Sequence, residues 1–254
     1  MPPNGSKAFW AAAVDLVAAR DCVGCGGPGT LWCSRCSRRL SGEPRVTEPT
    51  PRPAGFPDCW SVAAYDGSVR EVLSAFKDRG QRPLLAPLSR ALARAVTAAM
   101  ESPPTPESPP TPESPCLLVP APSSPAAVRR RGVDTMALLA HRVGTELTRV
   151  GVDVVVVNPL VITRLVVDQS GLGAAPRWRN VVGSMSVDQA SLDELGSPSA
   201  RDGSRPNMVV LVDDVVTTGA TLTEAVRALR AVGVLQIRAA TIAATRRRGA
   251  HADV

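Results

Sequence analysis

The sequence predicts an α/β fold, a parallel sheet flanked by helices on both faces, with a small N-terminal four-cysteine knuckle ahead of it. Three observations carry this expectation. Short Val-rich runs alternate with amphipathic helical stretches after residue 116, which is how a sheet buried on both faces reads. Two CxxC pairs lie close together near the N-terminus. Finally, 44% of the 254 residues are hydrophobic, enough to bury a core in one domain with a small appendage.

The elements follow in chain order. Trp10, Val14 and Val17 stand at i, i+4 and i+7, so residues 7–20 read as a short amphipathic helix. Lys7 ahead of an apolar run imitates a secretion signal, but Asp15 interrupts it. Gly67 to Met100 reads as helical, with Val69, Val72, Leu73 and Phe76 on one face and a later run from Leu84 to Met100 broken at Pro87. Ser-Pro-Pro-Thr-Pro-Glu then occurs twice, at 102–107 and 108–113. Prolines without amide donors and residues without a core face make 101–115 an extended, disordered insertion. Strands are expected at Leu117 to Val119, Val154 to Val157, Val209 to Val212 and Gln236 to Ala244. Helices are expected at Thr135 to Val150 and Leu222 to Val232, with a polar surface loop from Asp193 to Asn207. The organisation that results is a helix and knuckle in 1–60, then the α/β domain in 61–254 interrupted by 101–115.

Cys22, Cys25, Cys33 and Cys36 form two CxxC pairs separated by seven residues. Four thiolates in such short spacings suit tetrahedral Zn²⁺ and leave no position open for substrate, so the metal's role is structural. Gly24, Gly26, Gly27 and Gly29 give the backbone freedom a tight knuckle needs. Six cysteines are too few for a disulfide scaffold, and a reducing, cytoplasmic compartment is expected. Cys59 and Cys116 read as small hydrophobes.

Composition excludes several classes of function. The longest apolar runs are far shorter than the ~20 residues of a membrane span. Only 3% of residues are aromatic, so a module that stacks bases on rings is not supported, and direct nucleic-acid binding is expected to be weak at most. A net charge of +6 is carried by arginine, with Lys7 and Lys77 the two lysines in the chain. No nucleoside-triphosphate P-loop is present, and Gly171-Leu172-Gly173 follows Asp168-Gln169-Ser170 and runs into Pro176, the wrong context for a dinucleotide fingerprint. No nucleophile motif occurs, and no side chain is singled out as catalytic.

The segment that carries chemistry is Val209-Val210-Leu211-Val212-Asp213-Asp214-Val215-Val216-Thr217-Thr218-Gly219-Ala220-Thr221. A buried strand delivers two adjacent carboxylates, and a Thr/Gly turn then opens a helix. Ligands bind beyond the carboxyl ends of parallel strands, and amides and hydroxyls at a helix start suit a phosphate. Carboxylates repel phosphate, so their targets are sugar hydroxyls or a divalent cation. A phosphorylated sugar meets both halves.

These residues resemble the 5-phosphoribosyl-1-pyrophosphate (PRPP) signature of type I phosphoribosyltransferases. The resemblance implies a type I phosphoribosyltransferase-like sheet, with Asp213 and Asp214 on the ribose hydroxyls and Thr217, Thr218, Gly219, Ala220 and Thr221 on the 5′-phosphate. It also implies Mg²⁺ bound with PRPP. The knuckle, Tyr65-Asp66-Gly67 with Arg70, Phe76-Lys77-Asp78-Arg79-Gly80, Val119-Pro120-Ala121-Pro122, Arg131-Gly132, and Gln169-Ser170-Gly171-Leu172 with Arg177 and Asn180 occur in the order seen in the ComF family. That second resemblance implies a competence role in DNA uptake, with DNA-translocation and recombination proteins as partners. Three readings stand at this point. The chain transfers phosphoribosyl to an acceptor, it is a non-catalytic competence factor with a PRPP pocket, or it is an adaptor recruiting partners through its knuckle and proline-rich insertion.

Overall fold

The computed structural model describes residues 21–103, 115–163, 181–188, 191 and 208–245. Six strands form the main sheet: β1 (Arg45–Thr47), β2 (Cys59–Ala64), β3 (Cys116–Pro120), β4 (Val154–Val156), β7 (Val209–Val216) and β8 (Ile237–Ala244). Their spatial order is β1-β2-β8-β7-β3-β4. β1 is antiparallel to β2, and every other pairing in this sheet is parallel. A separate antiparallel pair joins β5 (Leu160–Ile162) to β6 (Met185–Val187). The helices are α1 (Ser34–Ser37), α2 (Gly67–Lys77), α3 (Leu85–Glu101), α4 (Pro125–Arg131), α5 (Thr135–Arg149) and α6 (Ala220–Ala231).

Alternation along β7 sorts the core into two layers. Val210 and Val212 join Ala240 and Ile242 of β8 against Leu73, Leu92 and Leu139 from α2, α3 and α5. Val209 and Leu211 face the other way, where Leu222, Val226 and Leu229 of α6 cover them. β7 is therefore apolar on both faces until its acidic residues, as the parallel-sheet expectation requires.

Several boundaries differ from the sequence reading for identifiable reasons. The helical stretch from Gly67 breaks at 78–84, where Gly80 adopts φ +65° and a 3₁₀ turn runs over Arg82–Leu84. Pro87 breaks nothing: it lies in the first turn of α3, where its missing N–H has no intrahelical acceptor to lose. β7 continues through the carboxylates to Val216, so the acidic pair sits within the strand instead of following it. α4 occupies a stretch that the sequence reading left without an element. Pro125 starts it, and the Ser124 hydroxyl caps it by accepting the Ala127 amide at 3.2 Å. β1, β2, β5 and β6 are likewise additions, the shortest being three residues long. The expected 7–20 helix, residues 104–114 of the insertion, the 193–207 loop and the motif residues 169–180 lie outside the described residues.

One buried ion pair fastens the β5–β6 pair to α6. Glu224, 3% exposed, accepts the Met185 amide at 3.0 Å and the Arg227 guanidinium at 2.8 Å. Arg227 also donates to the Met185 carbonyl at 2.7 Å. Burial works to raise the Glu224 pKa, but Arg227 and the Met185 and Gly183 amides outweigh it and lower the value. Replacing Glu224→Gln should cost about 1–3 kcal/mol, because it weakens charge-assisted bonds at a buried site. A lowered folded-state pKa stabilises above the ordinary glutamate value of 4.5. The stability gap between wild type and variant should thus be full at neutral pH and shrink as pH falls through the lowered pKa, measured by urea unfolding at a series of pH values.

Candidate functional site

The carboxyl end of β7 brings together residues from three parts of the chain. Asp213 and Asp214 are consecutive in the strand, so their side chains leave opposite faces. Asp214 is 5% exposed and accepts the Lys77 ammonium, Nζ to Oδ2, at 2.9 Å. Lys77 is the last residue of α2, where a cation also complements the helix dipole. Burial works to lower the Lys77 pKa, yet the charges of Asp214 and Asp213 raise it. Asp213 keeps part of its surface open and accepts the Asp214 amide on Oδ1 at 2.9 Å. Close packing around its carboxyl and the neighbouring Asp214 charge push its pKa up, only partly offset by Lys77. Tyr65 belongs to the same group, its pKa raised by burial and then by Asp214.

Behind Asp213 stands a row of hydroxyls. Thr241 is its register partner on β8, and the Thr241 and Ser61 hydroxyls meet at 2.6 Å. Ser61 in turn meets the Thr47 hydroxyl at 2.9 Å, which ties β1, β2 and β8 across the buried strand ends. Arg131 reaches Asp78, the residue after Lys77, at 3.0 Å with its own side chain 14% exposed, and its Nε lacks a partner. Arg129 and Arg130 are exposed, so the basic run divides. One arginine turns inward and two face solvent.

The Thr/Gly turn follows β7 directly. Gly219 has φ +76° and caps α6, a conformation that side chains other than glycine adopt at a cost. Space there is also closed: a Cβ on Gly219 would meet the Phe56 ring at 2.8 Å and Pro49 at 2.9 Å. The Ala220 amide approaches the Thr218 hydroxyl at 3.4 Å, and Thr245 holds the Val216 carbonyl through its amide at 3.0 Å. The first turn of α6 offers amides without intrahelical acceptors, the geometry that accommodates a phosphate. The turn and the acidic pair predicted from sequence are therefore contiguous in space as well as in chain.

At the other end of α2 the four cysteine sulfurs lie within 4.8 Å of one another. A tetrahedron with Zn–S near 2.3 Å sets sulfur separations of about 3.8 Å. Cys25 and Cys33 are 3.7 Å apart, and the Cys33 amide approaches the Cys22 sulfur at 3.4 Å. The donor set fits a four-coordinate structural metal ion. Burial works to raise the Cys22 pKa, but the Cys33, Gly24 and Cys25 amides bring it down to about 6, while burial pushes Cys36 up to about 12. The knuckle rests on the domain itself: Val23, Leu31 and Trp32 pack against the core. A Cβ on Gly24 would approach the Ser68 Cβ, the Trp32 ring and the Cys36 sulfur at 2.7, 2.7 and 3.0 Å. Cys59 and Cys116 are buried, and burial raises both thiols to about 12, in keeping with an apolar role.

Residues 129–253 match the family model for the phosphoribosyl transferase domain. That stretch contains the acidic pair, the Thr/Gly turn and β4 to β8, while β1 to β3, Lys77 and the cysteine cluster precede it. No curated protein matches the chain. Among the described residues, no helix is long and apolar enough to cross a membrane.

Sequence reasoning singled out Lys77 but gave it no partner, and it missed Pro49 and Phe56 altogether. The signal for Lys77 was its rarity among arginines; nothing local marks Pro49 or Phe56, because their partner is 163 or more positions away in the chain. Gly219→Ala should destabilise more than Gly132→Ala, by at least about 1 kcal/mol in denaturant titrations, since both sit at similar positive φ but Gly132 has open space around it. Elemental analysis should find zinc bound to the purified protein, and Cys36→Ser should lose it together with several degrees of melting temperature.

Proposed function

We propose that the protein binds PRPP, or a closely related phosphorylated sugar, and acts as a phosphoribosyltransferase in nucleotide metabolism. The observation that carries this reading is the contiguity of two carboxylates and a phosphate-accommodating turn at the carboxyl end of β7, within the stretch matching the phosphoribosyl transferase domain. Asp213 and Asp214 would accept from the ribose hydroxyls, as acceptor-only groups do. Thr217 to Thr221 would hold the 5′-phosphate through hydroxyls and the first-turn amides of α6. Mg²⁺ arriving with PRPP supplies neutralisation of the pyrophosphate oxygens. Positive charge developing on the ribose as pyrophosphate leaves would be stabilised by the fixed carboxylates without a covalent nucleophile.

A second reading is favoured by the cysteine cluster, which precedes the matched stretch and fits structural Zn²⁺. Together with the ComF resemblance it supports a competence factor whose PRPP pocket serves DNA uptake through protein partners. Four clustered thiols also favour a reducing, cytoplasmic location.

Calorimetric titration of PRPP with Mg²⁺ tests the pocket that both readings share, and pyrophosphate release separates them. Saturable binding that weakens at least about tenfold in Asp213→Asn/Asp214→Asn is expected, the loss of charge-assisted hydrogen bonds being worth roughly 1.5–3 kcal/mol. Binding followed by pyrophosphate release with a purine, pyrimidine or amine acceptor establishes the enzyme. Binding without release favours the competence factor, and absence of PRPP binding to the wild type overturns the pocket in both readings.

A further inference from the structure

The acidic pair has two chemically sensible ligands, sugar hydroxyls and a divalent cation, and Lys77 decides between them. Its ammonium lies 2.9 Å from Asp214 Oδ2, at hydrogen-bond distance and in the place where a metal ion would otherwise gather charge. The side chain is not sealed away: it is 28% exposed, against 7% for Asp214, so its head stands at the mouth of the pair. Arg131 adds a second positive charge close enough to bear on Lys77, and is itself held in place by Asp78. A hydrated dication approaching Asp214 would have to shed water and displace or crowd an ammonium whose positive charge Arg131 reinforces. A neutral hydroxyl faces no such repulsion, and the ammonium has further N–H groups free to donate.

We propose that Lys77 is a specificity-determining residue that excludes divalent metal from the Asp213–Asp214 pair and reserves it for sugar hydroxyls. The proposal rests on reading the pair as a sugar site, and it confines any metal to the phosphate end of the ligand. It also accounts for the choice of residue. A compact ammonium reaches one carboxylate oxygen as a point charge, whereas an arginine fork would span both oxygens and occupy the acceptors that the sugar needs.

The test uses Mn²⁺ alone as probe, with protein carrying its knuckle metal, read by electron paramagnetic resonance and water-proton relaxation. Wild type should show no Mn²⁺ site attributable to the pair. Lys77→Met should gain one, with affinity at least ten times higher, and Lys77→Met/Asp214→Asn should lose it again. Lys77→Arg should stay metal-free but bind ribose 5-phosphate less well than wild type. Tight Mn²⁺ binding by the wild type that Asp213→Asn or Asp214→Asn removes would overturn the proposal, and this arm needs no lysine variant to fold. Unchanged Mn²⁺ affinity in a folded Lys77→Met would also overturn it. Ribose 5-phosphate titration into the wild type is independent of both arms: failure to bind would count against the sugar site itself and leave the metal-exclusion result to stand or fall by the Mn²⁺ data.

Discussion

A carboxylate taken out of water needs a counter-charge or hydrogen-bond donors, or it gives up its charge. β7 sets this problem twice in succession. The strand lies between β8 and β3, apolar on both faces for four residues, and then places Asp213 and Asp214 at the carboxyl end of the sheet. Asp214 meets the requirement with Lys77 at 2.9 Å. Asp213 has a backbone amide as its donor, and its pKa rises. The unequal solution makes the two carboxylates different groups despite their adjacency, and it makes the position of Lys77 the condition on which the site's charge depends.

That position is fixed by packing far from the carboxylates. Val69, Val72, Leu73 and Phe76 bury one face of α2 in the core, so the helix cannot slide without exposing them. The Thr/Gly turn is supported in a comparable way, by Pro49 and Phe56 closing over Gly219. Both supports come from residues before position 129. The stretch matching the phosphoribosyl transferase domain thus supplies the acidic pair and the Thr/Gly turn, and the N-terminal part of the chain supplies the counter-ion and the residues that close over the turn.

The layered architecture was legible because periodicity records which face of an element is buried. The continuous Val209 to Val212 run points to a layer on each face, and the structure sets Val209 and Leu211 against the Leu222, Val226, Leu229 stripe and Val210 and Val212 against the opposite layer. The four-cysteine cluster was legible because a metal site compresses its ligands into short spacings. β1, β5 and β6 have three residues each, too few to show a period, whereas β4, no longer, is announced by the continuous Val154 to Val157 run. Pro87 misled for a different reason. Proline breaks a helix only where its N–H is needed, and the first turn does not need it. The Lys77–Asp214 pair spans 137 positions, and no local pattern encodes a partner at that distance.

The knuckle and the acidic pair occupy opposite ends of one helix. α2 has eleven residues, about 16 Å at 1.5 Å per residue, with Ser68 against the Gly24 turn at its start and Lys77 against Asp214 at its end. Gly24 leaves no room for a Cβ, so the cysteine turn packs directly against the start of the helix. An eleven-residue α-helix with one buried face and no interior proline tilts as a body, since a sharp kink would need a break in its hydrogen-bond ladder. A displacement of the knuckle by one side chain's thickness must therefore be absorbed by tilting α2 or by parting Lys77 from Asp214. At 2.9 Å that ion pair has little slack, and leaving a buried Asp214 unpaired is the costlier failure. The packing of the cysteine turn and the Lys77–Asp214 pair thus constrain one helix from both of its ends.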